Sequence, residues 1–235
     1  MDINKIPDWL KKEDSYEKIF LIFIFALLLW MCCVNQFSYK INHEFPTGYQ
    51  ASDSFGHLSM AYQVYTTGQN KHLPIYISYG FEDAVTAQPP VKSYLTSIFA
   101  FVSGIELYDS YLLLTGILIA IGTLIIYLII KDFNRKVAIL SLPLSCFMFY
   151  KASYSGLLWG QMGAFYGSFF LIGFLWSMHR LNMKKSYLLV GLLLAATALA
   201  HPPEFTFGIG FVIAYFVYKL IFKKIDFNEI KKIFF

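Results

Sequence analysis

The chain has 235 residues, of which 57% are apolar and only 14% charged, with 24 Phe, 17 Tyr, a net charge of +4 and a mean hydropathy of +0.53. Soluble domains carry about 25% charged and 45–50% apolar residues, so this composition excludes a water-soluble globular protein, a disordered chain and a disulfide-stapled secreted fold. Apolar runs long enough to cross a bilayer exclude a basic nucleic-acid-binding domain as well, and the net charge is too small to name a partner.

Residues 1–18 carry Lys5, Lys11, Lys12 and Lys18 ahead of an unbroken apolar stretch at 19–34, closed by Asn35 and Gln36. At about 1.5 Å per residue, a spanning helix at 19–36 nearly crosses the roughly 30 Å hydrocarbon core. The stretch begins too far into the chain for a cleaved leader, and no small-x-small pattern follows it. Residues 52–67 open with a Ser/Asp cap and keep Phe55, Leu58, Tyr62 and Tyr65 near one side, which predicts an interfacial amphipathic helix. Pro89-Pro90 can open a helix but not continue one, so a short apolar helix is expected at 91–105, where it spans, re-enters or lies along the interface. Further spanning helices are expected at 110–130, 137–150, 157–178, 186–200 and 204–222, followed by a charged tail at 223–235. Their apolar residues are continuous and do not alternate, which favours helices over barrel strands.

The basic residues choose the topology. If 91–105 does not span, 15 of the 19 Lys and Arg fall on one face, and only Lys40, Lys71, Lys92 and Lys151 fall on the other. If it did span, the basic turns near 131–136 and 180–185 would lie outside, against the positive-inside rule. The expected architecture is therefore an all-α, polytopic transmembrane bundle of six spanning helices in the cell membrane, with both ends cytoplasmic. A long external loop, 37–109, contains interfacial or re-entrant helices near 52–67 and 91–105, since a structureless loop of that length is uncommon. Its tyrosines suit the headgroup depth. Cys32, Cys33 and Cys146 sit inside apolar runs without metal-ligand spacing, as packing residues do.

Polar residues within this apolar chain are the candidates for chemistry. Asp53 and His57, four apart on a helix, point to the same side and can act as a base with its orienting partner or share a divalent cation. A cap aspartate followed by an interfacial histidine explains the same spacing. Glu82 and Asp83 form either a second acidic site or a solvated turn. His201-Pro202-Pro203-Glu204 lies between two apolar runs, where a His and a Glu are costly unless they line a polar cavity; a short interfacial turn is the alternative. Lys151 can pair with a phosphate or snorkel to headgroups, and Gln161 can bond a sugar hydroxyl. Gly116, Gly122, Gly156, Gly160, Gly163 and Gly167 suit close helix packing.

Several of these residues occur together in a familiar order. A first membrane helix is followed by a long external loop with an early Asp53, a nearby His57-Leu58 and Gly68 at the helix end. Then come Pro89-Pro90, Tyr94-Leu95, and Gly104 before a long apolar helix. This resembles the GT-C superfamily, polytopic glycosyltransferases that take sugars from polyprenyl-phosphate carriers, as oligosaccharyltransferases, protein O-mannosyltransferases and aminoarabinose transferases do. The resemblance covers about residues 15–222. It implies that Asp53 matches the catalytic acidic residue of the first external loop, as base or as ligand to a divalent cation such as Mg or Mn. It also implies that His57 lies near the site, and that the partners are a polyprenyl-phosphate-linked sugar, membrane lipid and an acceptor, with no nucleic acid. The next external loop, 150–160, lacks the second acidic residue that several members carry. Relatives continue through more helices and usually a soluble external domain, so the resemblance implies a piece of a longer enzyme or a shortened member. A reading from another class is a transporter or assembly subunit whose buried polar residues line a pathway. An inactive shortened relative is a third.

Overall fold

The computed structural model describes residues 13–37, 52–149, 161–180 and 186–222. Among these, the regular elements are helices: α1 (Glu13–Phe37), α2 (Ser52–Thr67), α3 (Val91–Ser103), α4 (Leu107–Phe133), α5 (Arg135–Ser141), a 3₁₀ helix (Leu142–Phe149), α6 (Met162–His179), α7 (Ser186–Ala200) and α8 (Pro202–Ile221). Three are long and apolar enough to cross a membrane by length and composition: Ser15–Cys32 within α1, all of α4, and α8. They make this an all-helical, membrane-associated protein. α3 and α7 are apolar but shorter. The segments 1–12, 38–51 and 223–235 lie outside the described residues, as does Lys151.

Local chemistry sets the helix ends. α8 opens at Pro202, earlier than the expected 204, because proline in the first turn gives up an N–H that would have no intrahelical partner. α3 stops at Gly104, whose left-handed φ of 70° and N–H to the Ala100 carbonyl close the helix. Asn134 separates α4 from α5 and caps the latter, its side-chain oxygen accepting from the N–H groups of Lys136 at 3.0 Å and Val137 at 3.1 Å.

One expected helix is not a single α-helix. Where 137–150 was to run unbroken, α5 ends at Ser141 and the chain tightens into the 3₁₀ turns of Leu142–Phe149. Pro143 is the physical reason. It has no N–H to donate and its ring crowds the carbonyl four residues earlier, at Ile139.

α4 is the central strut, packed on α1, α3, α5 and α6, while α6, α7 and α8 pack on one another. One apolar cluster joins α4 to α6 through Tyr111, Leu112, Leu118, Met162 and Tyr166, and reaches Ala200. Another joins α1, α4 and the 3₁₀ helix through Ile24, Leu28, Cys32, Ala120, Tyr127 and Leu142. At one end of the bundle the connections are ionic. Buried Glu17 of α1 accepts from Lys131 Nζ and Arg135 Nε, each at 2.5 Å, and from the Tyr127 hydroxyl. Asp132 accepts from Arg180 Nη2 at 3.1 Å and lies 3.3 Å from His179 Nε2. The start of α1 and the ends of α4 and α6 therefore share that end. The first turns of α6 and α8 point to the opposite end, where α2 and α3 lie.

Residues 68–90, between α2 and α3, are ordered by their own backbone bonds. His72 pairs with Val85 in an isolated antiparallel bridge, and Leu73 N–H donates to the Ala84 carbonyl at 2.7 Å.

Candidate functional site

α3 assembles the site through an unusual stripe. Lys92, Ser93, Thr96, Ser97 and Ala100 follow the i, i+4, i+8 spacing of one helix side, and that side is the buried one. Small hydroxyls let neighbouring helices approach and find partners in them. Ser97 Oγ donates to the Ala61 carbonyl of α2 at 2.9 Å, and Thr96 Oγ1 lies 3.2 Å from the Tyr166 hydroxyl of α6.

Lys92 stands at the head of this stripe, 3% exposed. Its Nζ donates to His57 Nδ1 at 2.7 Å, and Gln88 Oε1 lies 3.3 Å from the same nitrogen. Burial pushes the Lys92 ammonium well below the usual lysine range, to about 8, and the Asp53 carboxylate opposes that shift. Asp53 and His57, one turn apart on α2, thus both act on Lys92, the carboxylate through its field and the imidazole through a hydrogen bond.

The second half of the site comes from α8. His201 sits at its N-cap in extended backbone, its N–H donating to the Thr197 carbonyl at 2.9 Å, and its Nδ1 bonds the Glu204 carboxylate one turn on. Both lean on a glycine-lined face of α6. A methyl group on Gly167 would lie 2.7 Å from His201 Cβ and 2.9 Å from Glu204 Oε2. One on Gly163 would lie 3.4 Å from His201 Cδ2 and 3.6 Å from Lys92 Nζ. Gly163 is therefore the point over which Lys92 and His201 converge, and the absence of side chains at 163 and 167 is what lets them do so.

The expected residues divide accordingly. Asp53 and His57 act on Lys92 from α2, while His201, bonded to Glu204, approaches Lys92 over Gly163. Gln161 is exposed at the start of α6, two residues before Gly163. Glu82 and Asp83 stand on an exposed turn of the α2–α3 connection, where Asp83 has a left-handed φ of 61° and lies 3.8 Å from His72 Nδ1. Lys92 and Gln88, on either side of Pro89-Pro90, are not among the site residues that the sequence suggests. The available signal was that Lys92 is the sole charge in residues 84–105, and a charged side chain inside an apolar segment marks function by default.

Among the described residues, no three His, Cys, Asp or Glu side chains converge as a metal would require. Asp53 and His57 offer two donors, and an ammonium already occupies one nitrogen of the imidazole. This donor set does not fit a divalent cation, which would be repelled by Lys92.

The chemistry on offer is anion neutralisation beside proton acceptance. Lys92 is a point charge in a poorly solvated place. With Nδ1 hydrogen-bonded to Glu204, the His201 ring is fixed in orientation and turns Nε2 away from that carboxylate. Comparison of the chain with protein families, with curated proteins and with solved structures finds no match.

Proposed function

We propose that the chain forms a membrane glycosyltransferase module of GT-C type, transferring a sugar from a polyprenyl-phosphate carrier to an acceptor at the external face of a multi-pass membrane protein. One observation carries the reading: buried Lys92 of α3 bonds His57 of α2 and lies in the field of Asp53, and it approaches the Glu204-bonded His201 of α8 over Gly163 of α6, at the end of the bundle away from the ionic contacts. In this reading that end is the outer one, since the Lys131–Arg135 and Arg180 contacts belong to the basic, cytoplasmic side.

The transfer breaks the bond between the sugar's anomeric carbon and the phosphate oxygen, and forms one from that carbon to the acceptor oxygen. The phosphate leaves as an anion, so the protein's tasks are to hold it and to take the acceptor's proton. Lys92 neutralises the phosphate, and the arriving anion stabilises its ammonium form. Asp53, exposed beside it, is the base that takes the proton, and the Glu204-oriented His201 flanks the acceptor. No step passes through a metal.

The test uses the full chain in lipid nanodiscs with a panel of polyprenyl-phosphate pentoses and hexoses, reading release of polyprenyl phosphate. Asp53→Asn keeps the size and shape of the side chain in the first turn of α2 while removing its charge, so release falls by about 10²–10⁴ with little change in thermal stability. If Asp53→Asn releases polyprenyl phosphate at the wild-type rate, Asp53 is not the base. If no donor is turned over and none binds, the non-catalytic reading takes its place.

A further inference from the structure

α3 is inside out by the standard of a water-soluble helix. Its buried side is Lys92, Ser93, Thr96, Ser97 and Ala100, whereas its outer side is Tyr94, Ile98, Phe101 and Val102, of which the last two are 79% exposed. In water, an amphipathic helix turns its large apolar side chains inward and its lysine and hydroxyls outward. The reverse arrangement is stable only where the surroundings are less polar than the protein interior. At 13 residues α3 is about 20 Å long, too short to cross a hydrocarbon core of about 30 Å. Gly104 and two further residues tie its end to α4, which is long enough to cross.

We infer that α3 lies within the hydrocarbon region without crossing it, and that the acyl chains of membrane lipids cover its Tyr94–Ile98–Phe101–Val102 stripe. The alternative cover, a second copy of the chain, fits the residues poorly. Helices that pack on one another in lipid meet through Gly, Ala, Ser and Thr, which bring backbones close. The outer stripe of α3 offers instead large side chains of the same kind as those exposed on α1 and α8, such as Ile22, Phe23, Phe207 and Ile213. The small residues of α3 are already used against α2 and α6. The Tyr94 hydroxyl, which donates to the Gly68 carbonyl at 3.3 Å, places the one polar group of the stripe at its Lys92 end. The candidate site therefore has a wall that is polar inside and lipid-wetted outside, whatever reaction the site performs.

Site-directed spin labels test this on the full chain reconstituted in liposomes, with Cys32, Cys33 and Cys146 replaced by Ala and single cysteines at Ile98, Phe101 and Val102. Labels at all three should relax more strongly with oxygen, which concentrates in lipid, than with a water-soluble nickel chelate. A label at exposed Lys136 should show the opposite ratio. Nickel-dominated relaxation at Ile98 and Phe101 overturns the inference in favour of water, and dipolar broadening between labels overturns it in favour of a second copy. Phe101→Trp is an independent check: its added emission should be quenched by lipids brominated on the acyl chain, and unquenched emission overturns the inference as well.

Discussion

Glycine-to-alanine substitutions on α6 and α8 separate real crowding from nominal crowding. Gly167 and Gly208 look equivalent by distance, since an added methyl would lie 2.7 Å from a carbon in each case. The carbons differ in kind. At Gly208 it is Leu194 Cδ1, the tip of a side chain that can rotate away; at Gly167 it is His201 Cβ, fixed to the backbone at the head of α8, with Glu204 Oε2 at 2.9 Å. Overpacking a site that cannot yield costs about 1–3 kcal/mol, while replacing Gly by Ala inside a helix gains up to about 1 kcal/mol. Gly167→Ala should therefore lose about 0–2 kcal/mol net. Gly208→Ala should fall near wild type, and Gly210→Ala, with nothing within 4 Å, should gain up to about 1 kcal/mol. Thermal denaturation in detergent ranks the three. The reasoning is refuted if Gly167→Ala is as stable as Gly210→Ala, because the close approach of His201 to α6 would then not exist.

Two other outcomes are open to measurement. Lys92 titrates at about 8 in the folded protein and near 10.4 when unfolded, so between those values the unfolded chain holds the extra proton and stability rises with pH. That slope should vanish in Lys92→Met, and parallel melting curves from about pH 7.5 to pH 10 in both proteins would contradict it. Single cysteines at exposed Gln69 and Lys136, in a background lacking the three native thiols, should react with an impermeant reagent from opposite sides of the membrane; labelling of both from one side removes the orientation used for the proposed function.

Helices whose ends carry local signals were readable from the chain. α2 begins at Ser52 as its Ser/Asp pair suggests, while Pro202 at the start of α8 and Gly104 after α3 set helix boundaries two residues from the expected 204 and 105; each signal acts within one turn, and a turn is what a sequence window contains. Pro143 is equally local, yet the apolar run around it continues unbroken and hides its effect. The site divides along the same line. Asp53 with His57 and His201 with Glu204 are intrahelical spacings, visible as polar residues in apolar surroundings. The pairing of Lys92 with His57 spans 35 positions and depends on α3 lying against α2 and α4. No periodicity encodes that, and the glycines at 163 and 167 read only as packing residues until His201 is seen resting on them.

The ionic contacts of Glu17 have a bearing on synthesis. Its partners Lys131 and Arg135 lie 114 and 118 positions later in the chain. At about 5–20 residues per second they emerge from the ribosome roughly 6–24 s after Glu17 itself. For that interval the first helix holds its carboxylate without the two cations that bond it in the folded chain. Its location makes the wait tolerable: Glu17 is the third residue of the apolar window that begins at Ser15, within reach of water until α4 and α5 arrive. The same carboxylate two turns further along would have held the nascent helix at the surface.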